Sequence, residues 1–175
     1  MIDEAYQPFA GATFMPRLAE FENMVVVRTV SKIGMAGLRL GYVCGRTQWI
    51  DEFNKTRSPF NINVLTEAVA IRLLQNKKVL DAQAAKVLEE RERVRTGLVC
   101  MSGMTVYPSA ANFLLVRVAG GKGAGTRVFD SIKKQGVLVK DFSGGHPLME
   151  NCLRLTVGTP EENRILLAAL REALK

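Results

Sequence analysis

The chain has 175 residues, a formal net charge of +7 and a mean hydropathy of +0.06, with 47% hydrophobic and 7% aromatic residues. That length buries a real core, as one domain or two small ones, while its longest apolar runs fall far short of the roughly 20 residues that cross a bilayer. The basic residues are spread out and the few aromatics give no stacking platform, so the charge reads first as a solvated surface, with attraction of anionic small molecules as the functional alternative and nucleic acid a distant third.

No charged start with an apolar run behind it opens the chain, so no secretory signal is read. Asp3 and Tyr6 come almost at once, with no room for a strand ahead of them. Residues 7–23 read as a loop, with a short helical turn from Arg17. The apolar run from Met24 leads into a buried strand that ends at Thr29. A polar turn follows with Ser31 and Lys32, then glycines at 34, 37 and 41 and Arg39 between the last two. Gly41 to Cys44 is a second strand and Trp49 to Lys55 a short helix. Residues 57–63 are a loop broken by Pro59.

Thr66 to Gln75 has helical spacing, with Ala68, Ile71 and Leu74 facing inward. Val79 to Met101 is a long helix. Its charge run from Glu89 to Arg95, with Glu89 four residues before Arg93, reads as a solvated face. Thr105 to Tyr107 and Asn112 to Val118 are strands, and Gly125 to Gln135 is a helix ended by Gly136. Val137 to Lys140 and Cys152 to Val157 are further strands. Thr159-Pro160-Glu161-Glu162 holds an N-cap, a first-turn proline and a capping-box partner, so the last helix starts there and runs to about Leu174. From Gly103 on, this order predicts a compact α/β or α+β unit, with a domain boundary ahead of it near Lys77–Val79.

Cys44, Cys100 and Cys152 stand singly in apolar runs and read as buried reduced thiols, which fits the cytoplasm. With no close pairing and one histidine, His146, zinc is not expected. Gly121 to Gly125 resembles a phosphate loop but lacks Walker spacing, so it reads as a flexible surface turn.

Lys32 carries the chemistry. A lysine just after a buried strand sits in a dry place, where desolvation favours the neutral, nucleophilic amine. Nearby glycines let backbone approach a ligand, and Arg39 offers a fork suited to phosphate. Amine, hydroxyls and guanidinium together suit an aldehyde cofactor that carries a phosphate, namely pyridoxal phosphate.

The stretch Arg28-Thr29-Val30-Ser31-Lys32-Ile33-Gly34-Met35-Ala36-Gly37-Leu38-Arg39-Leu40-Gly41-Tyr42 resembles the lysine region of fold-type I pyridoxal-phosphate enzymes. Its wording is most similar to the histidinol-phosphate aminotransferase family, and the resemblance runs from Asp3 to the C-terminus. It implies the C-terminal half of that fold: residues 1–77 as the end of the large cofactor-binding domain and 78–175 as the small C-terminal domain. It makes Lys32 the residue that bonds the cofactor, Asp3 the acid on the pyridine nitrogen and Tyr6 the partner of the ring's phenolic oxygen. Thr29, Ser31 and Arg39 become phosphate ligands, although some relatives place this arginine one residue further on. Arg154 becomes the substrate-anion arginine, for a carboxylate in one half-reaction and a phosphate in the other. Lys140 stands where some relatives carry a second arginine, keeping the charge without the fork. Residues 57–63 border the active site.

The implied reaction is transamination between histidinol phosphate and 2-oxoglutarate in histidine biosynthesis, in a cytoplasmic homodimer with small-molecule substrates and no metal, nucleic acid or membrane partner. Members of the family are considerably longer, with further pocket residues ahead of the position of Asp3, so weak or no turnover is expected of these residues alone. The shared residues also suit an aromatic-amino-acid aminotransferase or a phosphothreonine decarboxylase. A catalytically silent fragment, kept as an assembly module, is the reading from outside the enzyme class.

Overall fold

A computed structural model describes all 175 residues. Three successive valines stiffen the backbone toward the extended form, and β2 (Val25–Thr29) runs through them. β1 (Ile2–Asp3) lies parallel to it, Ile2 opposite Val26 and Asp3 opposite Val27. β3 (Gly41–Gly45) runs antiparallel on the other side, which gives the order β1-β2-β3. The start of the chain therefore does hold a strand; the Glu4 amide extends its ladder by donating to the Val27 carbonyl at 2.8 Å. α1 (Gln7–Ala10) and a 3₁₀ turn (Met15–Glu20) occupy the segment read as mostly loop.

α2 (Thr47–Thr56) and α3 (Val64–Leu74) follow. Asn63 caps α3 by accepting the Thr66 amide at 2.9 Å, as a short polar side chain at that position should. The inward face expected for α3 is corrected: only Ala70 is buried. Ala68 is exposed, as are Ile71 and Leu74. Helical periodicity tells which residues share a face, and burial of that face needs a partner that this part of the chain does not supply.

The chain divides into two units, Met1–Ala84 and Ala85–Lys175. The division falls inside α4 (Lys77–Val99). In the second unit β4 (Met104–Val106), β5 (Phe113–Val118), β6 (Lys140–Asp141) and β7 (Cys152–Thr156) form an antiparallel sheet in the order β4-β5-β7-β6. Alternation puts Leu114, Val116 and Val118 of β5 and Leu153 and Leu155 of β7 into one core. They pack there with Val94 and Leu98 of α4, Val128 and Ile132 of α5 (Ala124–Lys134), and Leu166 and Leu170 of α6 (Pro160–Ala173). Helices on one face of a sheet make a two-layer α/β unit.

α6 begins as its local chemistry dictates: the Thr159 hydroxyl accepts the Glu162 amide and the Glu162 carboxylate accepts the Thr159 amide. The strand expected over Val137 to Lys140 is shorter than expected. Gly136, at φ +82°, turns the chain out of α5, and the Val137 amide goes back to the Ile132 carbonyl at 3.0 Å. That bond closes the helix end and removes Val137 from any ladder.

The charge run on α4 is only partly solvated. Glu90 is buried, while Glu89 and Arg93 are exposed. Of the cysteines expected to be buried, Cys152 is, while Cys44 is half-buried and Cys100 is exposed, just beyond the end of α4. Gly121 to Gly125 is held rather than loose. The Glu150 carboxylate takes the Gly123 amide at 3.1 Å and the buried Asn151 takes the Gly125 amide at 3.0 Å. A carboxylate and a carboxamide oxygen already occupy those amides, so the loop is a poor phosphate cradle. His146 is exposed and accepts the Leu148 amide. No helix is long and apolar enough to cross a membrane.

Candidate active site

β2 delivers Thr29 into a tight turn. The Thr29 hydroxyl oxygen accepts the Ser31 amide at 3.0 Å, and lies 2.9 Å from both the Ser31 hydroxyl and the Leu40 carbonyl. A 3₁₀ turn (Ser31–Ile33) then carries Lys32. A second one (Ala36–Leu38) brings the chain back, with Arg39 in the left-handed region at φ 51°. The return into β3 is close: a Cβ on Gly41 would stand 2.9 Å from the Arg28 carbonyl. Gly41 thus serves strand pairing, not ligand approach.

Lys32 is half-buried, and its ammonium lies 5.1 Å from the centre of the Tyr6 ring. That distance is within cation–π range. Asp3 is exposed at the end of β1 and accepts the Ala5 amide at 2.9 Å. The Arg39 guanidinium is exposed, with only the Ala36 carbonyl near it, at 3.5 Å. The structure therefore brings Tyr6 to Lys32 and Thr29 to Ser31, sets Asp3 on the strand beside β2, and leaves Arg39 open to an anion. Residues 57–63 are exposed.

In the second unit Arg154 sits in mid-strand on β7, directly opposite Lys140 on β6 and Leu115 on β5. Directly opposed residues share a face of the sheet, so two cations project together. The Arg154 guanidinium carbon lies 5.3 Å from the Phe113 ring centre and 5.9 Å from that of Phe142. Two aromatic faces steady the planar group and leave its edges for an anion. Lys140 is exposed.

The reading of the sequence missed a cluster behind this turn. Glu4 is buried, and its carboxylate accepts the Arg28 Nε at 3.0 Å, the Arg28 Nη2 at 2.8 Å, the Phe14 amide at 2.5 Å and the Thr13 hydroxyl at 2.9 Å. Burial pushes this carboxyl up, but the Phe14 amide, Arg28 and Thr13 outweigh it and hold it below the usual range. The signal available was a glutamate flanking Asp3 and an arginine inside an apolar strand. Asp141 is likewise held low: burial works against its ionisation, and the Ser143 amide and Thr126 hydroxyl overcome it. No group of histidine, cysteine and acidic residues could hold a metal ion.

Residues 1–170 match the family described as aminotransferase class I and II, and the chain belongs to it. Within that family it is similar to histidinol-phosphate aminotransferase 1 of Burkholderia lata, at 55% identity over 174 residues, 99% of this chain and 48% of the relative. The chain thus spans about half the length of the curated relatives it matches. Among solved structures, the histidinol-phosphate aminotransferase of Clostridium acetobutylicum has the same fold at 24% identity, with a TM-score of 0.89 over 99% of this chain and 53% of that one. The enzyme of that name from Sinorhizobium meliloti, solved with pyridoxal 5'-phosphate, is 26% identical with a TM-score of 0.86 over 98% of this chain and 47% of that one. The fold is therefore that of the C-terminal half of these aminotransferases.

Proposed function

We propose that the chain supplies the lysine-bearing half of a pyridoxal-phosphate-dependent aminotransferase that exchanges an amino group between histidinol phosphate and 2-oxoglutarate. In this reading residues 1–77 are the end of the large domain and 78–175 the small domain of a cytoplasmic homodimer. The observation that carries it is the seating of the Lys32 ammonium over Tyr6 at the end of β2, beside the strand that bears Asp3.

The residues fit the cofactor. Two hydroxyls 2.9 Å apart and an exposed guanidinium follow one another around the lysine turn, a donor set suited to a phosphate. When bound, pyridoxal phosphate supplies an electron sink for the substrate carbon that bears nitrogen. Thr29, Ser31 and Arg39 hold its phosphate. Asp3 keeps a proton on the ring nitrogen, and Tyr6 donates to the phenolic oxygen. The Lys32 amine would hold the cofactor at its aldehyde carbon, with the carbonyl oxygen leaving as water, and would serve as the base that takes the proton from the substrate carbon. Arg154, helped by Lys140, grips the α-carboxylate of glutamate in one half-reaction and the phosphate of histidinol phosphate in the other.

Borohydride reduction in the presence of pyridoxal phosphate, done with these residues joined to the rest of the aminotransferase fold and followed by peptide mapping, tests this. A pyridoxyl label on Lys32 is expected, and its loss in Lys32→Ala. A label elsewhere, or none, overturns the reading.

A further inference from the structure

β1 has two paired residues, too few for backbone bonds alone to fix its place along β2. A slip of one residue would turn every side chain of a strand to the opposite face. Glu4 follows Asp3 directly, and successive side chains of an extended segment point opposite ways. Asp3 is exposed and Glu4 is buried, with 7% of its side chain accessible.

On the buried side three segments meet. Glu4 comes from just past the end of β1, Arg28 from the last-but-one position of β2, and Thr13 and Phe14 from the segment between them. Arg28 donates twice to Glu4 and once, at 2.8 Å, to the Thr13 hydroxyl, which also accepts the Met15 amide at 3.0 Å. Each member is held by the other two. A shift of β1 along β2 would break the ring of bonds and strand a carboxylate away from water.

We infer that Glu4 and Arg28 are positioning residues for cofactor capture. They lock the register of β1, which keeps Asp3 opposite Val27 and Tyr6 beside Lys32. The inference rests on the reading of Lys32 given above. Neither residue touches the cofactor; their effect passes through Asp3 and Tyr6 on one side and through Thr29 and Lys32 on the other.

The test uses a protein in which these 175 residues are joined to the rest of the aminotransferase fold, with pyridoxal phosphate and borohydride, and the label on Lys32 is measured against cofactor concentration. Visible absorbance of the bound cofactor is followed with pH, and far-ultraviolet circular dichroism reports folding. Glu4→Gln and Arg28→Gln are each expected to need ~10-fold or more cofactor for half-labelling, the range typical when a ligand's supporting partner is lost. They should also shift the pH midpoint of the visible band, because Asp3 no longer faces the ring nitrogen squarely. Arg28→Lys, which keeps the cation, should recover part of both. Glu20→Gln, which breaks the exposed Arg17–Glu20 pair, should change neither.

If the unmodified chain labels at Lys32 and the glutamine variants label at the same concentration with the same midpoint, the positioning role is wrong and the reading of Lys32 stands. If the unmodified chain does not label at Lys32, that reading fails and the positioning role falls with it. If the glutamine variants do not fold, Arg28→Lys decides, and half-labelling at the unmodified chain's concentration overturns the inference.

Discussion

Asn163 donates from Nδ2 to the buried Glu90 carboxylate at 2.9 Å, which joins α6 to α4. The same side chain accepts the Gly158 amide at 2.9 Å and donates to the Gly158 carbonyl at 3.0 Å, pinning the loop that leaves β7. Asn163→Leu removes all three bonds and leaves Glu90 with Arg93 alone, 3.1 Å away. A loss of about 2 kcal/mol in unfolding free energy is expected from the stranded polar groups. Urea denaturation measures it.

Arg154 is the second point of test. Arg154→Lys keeps the charge between Phe113 and Phe142 but gives up the fork that matches a carboxylate or phosphate edge. On the proposed function, and with the rest of the aminotransferase fold present, KM should rise ~10-fold for both anionic substrates, the equivalent of one lost charge-assisted bond, with a smaller change in kcat. Steady-state kinetics with each substrate varied in turn checks this; a rise for only one of them would show that the two anions do not share the site.

Glu4 gives a pH prediction with a definite sign. Its folded pKa lies below the unfolded value of about 4.3. The stabilisation it provides is therefore complete above that unfolded value and is lost as pH falls through the folded one. Urea midpoints taken downward from pH 7 should hold and then fall below about pH 4. Glu4→Gln should start lower at pH 7 and lose less over the acid range.

Gly41→Ala tests the closeness of β3 to β2. The added methyl would stand 2.9 Å from the Arg28 carbonyl, a backbone atom that cannot swing aside. A cost of about 1–3 kcal/mol is expected from overpacking, read as a lower melting temperature, together with weaker labelling of Lys32.

What the sequence made legible was local. The α6 start was readable because Thr159, Pro160 and Glu162 satisfy one another within four residues. The Lys32 turn was readable because its residues are consecutive. What escaped depends on distant partners. Glu4 is buried because Arg28, 24 residues on, meets it, and Glu90 because Asn163, 73 residues on, does. Neither pairing leaves a periodic trace. β6 came out short because the Val137 amide was already taken by α5, a competition that strand propensity does not weigh. α3 shows the reverse case, a sound helix whose apolar residues find no cover in their own unit.

Those bare residues govern how the chain behaves in a test tube. On α3 Val64 is 77% accessible and Leu65 75%, and Phe60, just ahead of the helix, is 99% accessible. The surplus of seven positive charges keeps copies apart only while their mutual repulsion reaches across the gap, and at physiological ionic strength it fades over ~8 Å. Dilute buffer should therefore keep the preparation clear, and added salt should turn it cloudy, as oily patches come within reach of one another.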